Sequence, residues 1–258
     1  MKRVIVCYKW VPDGADIRVD ERTRKLNLDQ VKSTLNDFDR NSIEAGAQVK
    51  AATGCELIGI TVGVNTENSS KDVLSRGLDS LCYLNDLMLG RADSRTTSKA
   101  LAALIEKLGG ADLVICSEAS DDEFAQQTSA RLAALLGYAS VTYVQSIAVA
   151  GEVVQLSRKL EEGSEDVEVS GPLVISVVPD INDPPIPGIR QILGAKKKPC
   201  TSVPWGELGL TEAEPQLVTE AIFAPEVKRK KLQLTAGGTS TEDAVRSLLQ
   251  HLTSDGVI

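Results

Sequence analysis

The stretch from Asp112 to Gly137 carries the residue types best suited to chemistry in this sequence. It begins with a short apolar run, Leu113 to Cys116, which predicts a strand, and passes through a polar turn. A helical pattern follows, in which residues recur at a spacing of four and a glycine stands at the expected helix end: Phe124, Thr128, Leu132, Leu136 and Gly137.

The polar turn in this stretch predicts a phosphate site. Asp121 and Asp122 are favourable N-cap residues, and Gln126, Gln127 and Thr128 follow in the expected first turns of the helix. A strand that turns into a helix presents free backbone N–H groups and a positive dipole end, both of which favour a phosphate. With no Lys or Arg from 108 to 130, backbone groups would have to hold the anion. The same spacing also fits an ordinary strand–helix crossover with a solvated cap.

Composition narrows the function classes. The chain has 258 residues, 42% hydrophobic and 25% charged, which is typical of one large globular domain or one domain with appendages. Only 3% of residues are aromatic and the net charge is −8, so a nucleic-acid surface is not expected. The five cysteines are scattered without a C-x-x-C pair, which indicates reduced thiols, no metal site and a cytoplasmic location. The single histidine, His251, lies in a C-terminal helical pattern and suggests no catalytic role.

The elements needed to position the turn alternate over about 140 residues. Apolar runs predict strands at Val4 to Tyr8, Leu57 to Val62 and Ser80 to Leu84, and the first is too short for a signal peptide or membrane span. Helical patterns lie between them: one capped by Asp37 or Asp39 and ended by Gly54, one from Asn68 or Ser69 to Gly77, and one from Ser94 to Leu108. This order predicts an α/β fold with a parallel sheet and helices on both faces.

Ligands of such sheets bind beyond the carboxyl ends of the strands, where the topology switches direction. We therefore expect the ends at Cys7 to Lys9, Val62-Gly63 and Ser117 to meet the Asn36 loop and the Thr128 helix in one crevice. The sequence contains neither G-x-G-x-x-G nor G-x-x-x-x-G-K-[ST], so it supports neither the common dinucleotide fingerprint nor a P-loop.

The second half of the chain has a different pattern. Four β segments without long helices between them predict a small antiparallel addition to the sheet edge: Ser140 to Val149, Val153 to Arg158, Asp166 to Val169 and Leu173 to Val178. A loop at 180–199 follows, in which Pro184, Pro185 and Pro187 exclude a regular strand or helix. Its apolar residues, which include Ile186, Ile189, Ile192 and Leu193, suggest either a docking surface or packing beneath the loop.

The C-terminal segment predicts an arm. Residues 207–231 are polar and look extended, and a terminal helix follows, with Thr239 and Glu242 at capping-box spacing. Its apolar stripe comprises Val245, Leu248, Leu249 and Leu252. Such an arm either wraps a partner or packs back on its own domain.

Five segments, in order along the chain, resemble the β subunit of electron transfer flavoproteins: VCYKWVPD, STLNDFDRNSIEAGAQVK, LSRGLDS, DLVICSEASDDEFAQQTSARLAALLG and INDPPIPGIRQILGAKKKP. The resemblance covers the first strand to about Pro199, and more loosely the tail. It is closest to the bacterial branch associated with anaerobic carnitine metabolism or nitrogen fixation. It implies an adenine-nucleotide α-hydrolase-like fold and a heterodimer with a larger α subunit, which chiefly holds the redox FAD.

The same resemblance implies an electron carrier without catalytic residues or a metal, linking a donor dehydrogenase to an acceptor oxidoreductase. Residues 1–205 would form the nucleotide-binding domain, and 206–258 the arm that contacts the α subunit. AMP or a second FAD would occupy the crevice, contacted by Cys7, Asn36, Asp37, Phe38, Asp39, Val62, Ser117, Asp122, Gln126, Gln127, Thr128 and Ser129. The partner-docking residues would be Pro187, Ile189, Ile192 and Leu193, with Ile189 as the anchor.

The chain departs from the family pattern at several positions. Ser129 follows Gln127-Thr128 where members commonly have glycine, Ser117 replaces another common glycine, and Gly14 stands where many members place a tyrosine against the flavin. The alternative function is a stand-alone adenine-nucleotide-binding regulator of the universal-stress type. The long tail and the proline-rich loop disfavour that alternative, because a stand-alone sensor needs neither.

Overall fold

The computed structural model describes residues 1–28, 30–210, 217–226, 231–234 and 240–258. Thirteen strands lie in these ranges: β1 (Arg3–Cys7), β2 (Trp10–Pro12), β3 (Arg18–Val19), β4 (Leu26–Asn27), β5 (Ser33–Leu35), β6 (Glu56–Gly63), β7 (Ser80–Asn85), β8 (Leu113–Ser117), β9 (Ala139–Ala150), β10 (Val153–Lys159), β11 (Ser164–Ser170), β12 (Leu173–Val177) and β13 (Cys200–Ser202). The α-helices are α1 (Asp37–Thr53), α2 (Ser70–Leu74), α3 (Ser94–Lys107), α4 (Thr128–Leu136), α5 (Ile189–Ala195) and α6 (Thr241–Ser254).

Nine of the strands form one sheet in the order β11-β10-β9-β12-β8-β1-β6-β7-β13. Pairing is parallel from β9 to β13, whereas β10 is antiparallel to β9 and β11 to β10. The predicted α/β class and the antiparallel addition are therefore confirmed. The strand β12 differs from the rest of that addition, because it lies between β8 and β9 and is parallel to both.

The strand order places a topological switch beside β1. From β1 the chain builds β6 and β7 on one side, then returns to build β8 on the other. The connections that leave the carboxyl ends of β1 and β8 therefore diverge, which opens a crevice between them.

Both faces of the sheet are buried against helices. Along β1, Val4 and Val6 belong to the apolar cluster that includes Ile43 of α1, whereas Ile5 belongs to the cluster that includes Leu104 of α3. All five of these side chains are 0% exposed. Each contributes about 1.5–3 kcal/mol by leaving water, so the continuous apolar run of β1 anchors the centre of the fold.

Two predicted helix starts are corrected. Helix α1 follows Asn36 as its N-cap, rather than Asp37 or Asp39, and ends as predicted at Gly54, with φ +71°. Helix α4 begins at Thr128, because Phe124 and Gln126 have φ values of 49° and 53° that a right-handed helix excludes. Residues 118–127 therefore form a loop, in which Asp121 and Asp122 do not cap the helix.

The proline-rich segment also differs from the prediction, because its second half is helical. No proline occurs from 188 to 198, so α5 forms there, with Gly188 as its N-cap. Three of its apolar side chains are exposed, Ile186 at 93%, Ile189 at 76% and Leu193 at 63%, whereas Ile192 is partly buried.

The tail is described only in part. Phe223 forms a single bridge to Lys25, and α6 begins after Ser240, whose hydroxyl accepts from Asp243 N–H at 3.1 Å. Thr239, the predicted capping residue, lies outside the described residues. Val245, Leu248 and Leu249 on α6 are 43–50% exposed. None of the described helices has the length and apolar character needed to cross a membrane.

Helix α1 depends on a glycine for its close approach to the sheet. A Cβ at Gly46 would lie 2.7 Å from Val6 Cγ2 and 2.9 Å from a Leu57 methyl. We expect Gly46→Ala to lower the free energy of unfolding by about 1–3 kcal/mol through overpacking, despite the better helix propensity of alanine. Denaturant titration measures this. Gly194→Ala in α5 is the matched control, since nothing lies within 4 Å of its Cβ position; a Gly46→Ala variant as stable as this control would contradict the prediction.

Candidate functional site

A cavity of about 410 Å³ lies at the carboxyl edge of the sheet, beside the topological switch. It is lined by the ends of β1, β6 and β8, by the start of α1 and by the first turn of α4. The predicted site residues among its lining are Cys7, Asn36, Asp39, Val62, Ser117, Asp122, Gln126, Gln127, Thr128 and Ser129. Asp37 and Phe38 are not lining residues, because they lie on the other side of the first turn of α1, exposed or partly exposed.

Asp39 joins the two strands that flank the switch. Its side chain is 2% exposed; one oxygen accepts the Lys9 N–H at 2.7 Å, and the other accepts the Ser117 hydroxyl. Burial raises the pKa of this carboxyl to about 6, although hydrogen bonds from Ser117 and Lys9 oppose the change. The first turn of α1 therefore fixes the spacing between the ends of β1 and β8.

Asn36 holds the loop at 118–127 in place. The side chain is 0% exposed, and its Nδ2 donates to Ala119 O at 3.1 Å while its Oδ1 accepts Asp121 N–H at 3.0 Å. Asp121 in turn accepts the Asp37 N–H at 2.8 Å. A second contact, edge to face, joins the rings of Phe124 and Phe38 with centroids 5.8 Å apart. These contacts maintain the loop despite the left-handed backbone of Phe124 and Gln126.

Lys9, at one of the expected strand ends, supplies a cation whose partners the linear sequence did not reveal. Its Nζ lies 2.8 and 2.9 Å from the two carboxylate oxygens of Asp122, and 3.1 Å from Glu123. Burial alone would raise the pKa of Asp122, but Lys9 and the hydrogen bonds hold that pKa below its ordinary value. Glu118 also lines the cavity, and burial raises the pKa of its carboxyl. The cavity is thus richer in carboxylates than in cations.

The first turn of α4 opens on the cavity without a side-chain cap. Gln127, the N-cap residue, makes no capping hydrogen bond. Its Oε1 instead accepts from Ser94 Oγ at 3.1 Å and from Arg131 Nη2 at 2.8 Å. Backbone N–H groups of a first helical turn have no partner within the helix, so this end offers donors, and the Thr128 and Ser129 hydroxyls line the same wall.

The thiols in the cavity wall are not suited to nucleophilic chemistry. A hydrogen bond with Cys116, reinforced by burial, raises the pKa of the Cys7 thiol, which keeps it protonated. In the described part of the chain, no group of three or more His, Cys, Asp or Glu side chains is placed to hold a metal ion. The arrangement can bind and orient a ligand through neutral donors.

The predicted site residues make up about a third of the residues that line the cavity. Tyr8 and Lys9 lie at the strand end that was expected in the crevice, and Trp10 follows them directly. Further lining residues come from the connection between β7 and α3 and from the first two turns of α3, which no motif marks: Leu89, Gly90, Ala92, Ser94, Thr97 and Leu101.

The fold and the cavity together define an α/β protein with a ligand-sized crevice at its topological switch. The family model described as "Electron transfer flavoprotein domain" matches residues 24–207, which is most of the chain. The chain therefore belongs to the electron transfer flavoprotein family. Proteins of this family are electron carriers that generally bind flavin and form heterodimers.

The raised pKa of the buried Asp39 can be tested through the pH dependence of folding stability. Because its folded-state pKa of about 6 lies above the ordinary 3.8, the folded state loses stability from this group as pH rises from about 4 to about 6. In Asp39→Asn, Oδ1 can still accept from Lys9 N–H and Nδ2 can donate to Ser117 Oγ. We expect the stability of this variant relative to the native chain to rise by up to about 3 kcal/mol between pH 4 and pH 7.

Denaturant titrations at pH 4, 5, 6 and 7 measure this difference. Asp16→Asn, which removes an exposed carboxylate, is the control and should show no comparable trend. A constant difference between Asp39→Asn and the native chain across the range would contradict the assignment of a raised pKa to Asp39.

Proposed function

We propose that this chain is the β subunit of an electron transfer flavoprotein. It pairs with an FAD-binding α subunit and carries electrons from a donor dehydrogenase to an acceptor oxidoreductase. The sequence motifs favour the bacterial branch associated with carnitine or nitrogen-fixation functions. The observation that carries the proposal is the uncapped start of α4, which opens on the switch-point cavity of a chain in this family.

The cavity is proposed to hold AMP or a second FAD, and the residues present fit such a group. A volume of about 410 Å³ is within the range of small-molecule sites. A phosphate at Thr128 and Ser129 would meet backbone N–H groups and two hydroxyls, and the α4 dipole would add about 0.3–2 kcal/mol. Lys9, already paired with Asp122 and Glu123, would add little charge there.

The chain itself is proposed to have no catalytic residues. The redox chemistry belongs to the FAD held mainly by the α subunit, which accepts and donates electrons when bound. The domain at 1–205 supplies the nucleotide cavity, and the arm at 206–258 contacts the α subunit. The exposed apolar side chains of α6 support this role, because a helix with an unburied apolar face gains stability by packing against a partner. The free state of all five cysteines supports action in the cytoplasm.

The docking loop at 180–199 is proposed to contact the electron-transfer partner through Pro187, Ile189, Ile192 and Leu193. Pro184, Pro185 and Pro187 limit its conformational freedom, so less entropy is lost on docking. Ile189 is 76% exposed at the first position of α5, which supports its role as the anchor.

Co-expression with the neighbouring α subunit tests the proposal. We expect the isolated chain to be colourless or nearly so, because an α subunit chiefly holds the flavin, and the co-purified heterodimer to be yellow. Chromatographic counting of the released nucleotides should give one FAD and one AMP per heterodimer, or two FAD molecules. Purification without any partner, or with a single nucleotide per heterodimer, would contradict the proposal.

Variants of the heterodimer test whether the second nucleotide binds in this cavity. The double variant Asn36→Ala/Thr128→Ala should lose most of it on gel filtration, since it removes the loop contact and a lining hydroxyl. Asp37→Ala is the control, because Asp37 does not line the cavity, and should retain the nucleotide. Full retention in a folded double variant would overturn the assignment of the cavity.

The docking role of Ile189 has a kinetic test. The donor dehydrogenase, recovered with the heterodimer and identified by mass spectrometry, is mixed in reduced form with the heterodimer in a stopped-flow instrument. Ile189→Ala should raise the half-saturating concentration of the dehydrogenase about 10- to 100-fold, because burial of one isoleucine contributes about 1.5–3 kcal/mol. Nucleotide content and melting temperature should be unchanged. Leu160→Ala, at another exposed aliphatic residue, is the control; a lower melting temperature with normal transfer would show that Ile189 is a core residue.

A further inference from the structure

The apolar docking loop is tied to α1 by a pair of asparagines at its N-terminal root. Asn41 is 8% exposed, and its Nδ2 lies 2.8 Å from the carbonyl oxygens of both Pro179 and Asn182. The bond is reciprocal: Asn182 Nδ2 donates to Asn41 O at 3.0 Å, and the two side chains also meet at 3.2 Å. We call this set of bonds the Asn41–Asn182 clasp.

The segment at 183–187, which follows the clasp, has few groups that can form backbone hydrogen bonds. Pro184, Pro185 and Pro187 have no amide hydrogen to donate, and Ile186 projects almost entirely into solvent. The first bond that organises the chain again is Gly188 N–H to Gln191 Oε1, at 2.7 Å, which starts α5. Because prolines restrict the backbone of this segment, the orientation of residues 179–182 largely sets the position of α5.

The other end of the loop is held by a different helix. Ala195 of α5 is 1% exposed, and Lys198 Nζ donates to the carbonyl oxygens of Leu74, at 2.9 Å, and Leu78 near α2. The loop is thus attached at both ends, to α1 at its N-terminal end and to α2 at its C-terminal end. The clasp is the anchor built on the helix whose first turn also forms the cavity wall.

We propose that Asn41 is a positioning residue for the docking surface: through the clasp it fixes the root of the loop, and with it the site at which Ile189 is presented to the partner. This role rests on the proposed docking function of Ile189. The buried amide of Asn41 donates to two backbone carbonyls of the loop root, so its removal would leave that root without these bonds.

The first test does not need a partner. Hydrogen–deuterium exchange of the full heterodimer, read by mass spectrometry, compares the native chain with Asn41→Ala, Asn182→Ala and the double variant. We expect exchange in peptides covering 183–193 to be at least tenfold faster in Asn41→Ala and in the double variant, and less accelerated in Asn182→Ala, which keeps the two backbone acceptors. Peptides covering 117–129 should be unchanged. Asp183→Ala, at the exposed neighbour, should match the native chain.

The second test uses the donor dehydrogenase already described for Ile189. Asn41→Ala should raise its half-saturating concentration about tenfold while the limiting rate at saturation stays within twofold, a split that a loss of global stability would not give. The double variant should be no worse than Asn41→Ala, since both lack the same clasp. If hydrogen–deuterium exchange of the loop is not accelerated in Asn41→Ala, the proposal is overturned. It is also overturned if exchange is accelerated and Ile189→Ala changes the half-saturating concentration of the dehydrogenase, but Asn41→Ala does not. If Ile189→Ala also leaves half-saturation unchanged, the docking function fails, and the positioning role fails with it even where exchange is accelerated.

Discussion

The hydrogen-bonded carboxylate of Asp39 is the interaction on which the site depends. A topological switch separates the connections that leave neighbouring strands, so something must hold the strand ends at a defined spacing. Asp39 does this by accepting the Lys9 N–H and the Ser117 hydroxyl together. Burying a carboxylate is costly, and these bonds offset only part of the cost, as the pKa of about 6 indicates. The ionised Asp39 therefore lowers the stability of the folded state at the place where it fixes the shape of the cavity.

Helix α1 extends the same principle to three loops. Within its first turn and a half, Asn36 holds the loop after β8, Asp39 holds the connection after β1, and Asn41 holds the connection after β12. The helix can act as a rigid reference because Ile43 is fully buried against the sheet, and Gly46 allows the close approach. A single helix therefore relates loops that lie far apart in sequence.

The sequence was sufficient wherever the signal was local. The apolar run of β1 and the left-handed Gly54 at the end of α1 are local signals, and both elements occur where they were expected. The start of α4 was misplaced because Phe124 has the right spacing for a helix, yet its backbone is left-handed. The loop that contains it is held by residues from another part of the chain: Phe38 packs against Phe124, and Asn36 bonds to Asp121.

The ion pair between Lys9 and Asp122 was not predicted, for a related reason. An inspection of 108–130 finds no cation, but Lys9 arrives from 113 residues away to pair with Asp122. Neither residue type nor spacing encodes such a contact; only the parallel alignment of β1 beside β8 creates it. The crevice itself was predictable, because the carboxyl ends of parallel strands meet by topology, whatever side chains follow them.

The ion pair between Lys9 and the loop also bears on how the cavity would hold the proposed anion. Because Asp122 and Glu123 already neutralise the ammonium, an incoming phosphate would find no uncommitted positive side chain among the lining residues. Attraction must then come from the N–H groups and dipole of α4, which act over one helical turn and favour an anion placed there rather than charge in general. Lys9 instead ties the loop at 118–127 to the end of β1. A site built in this way would select an anion by its position at the start of α4.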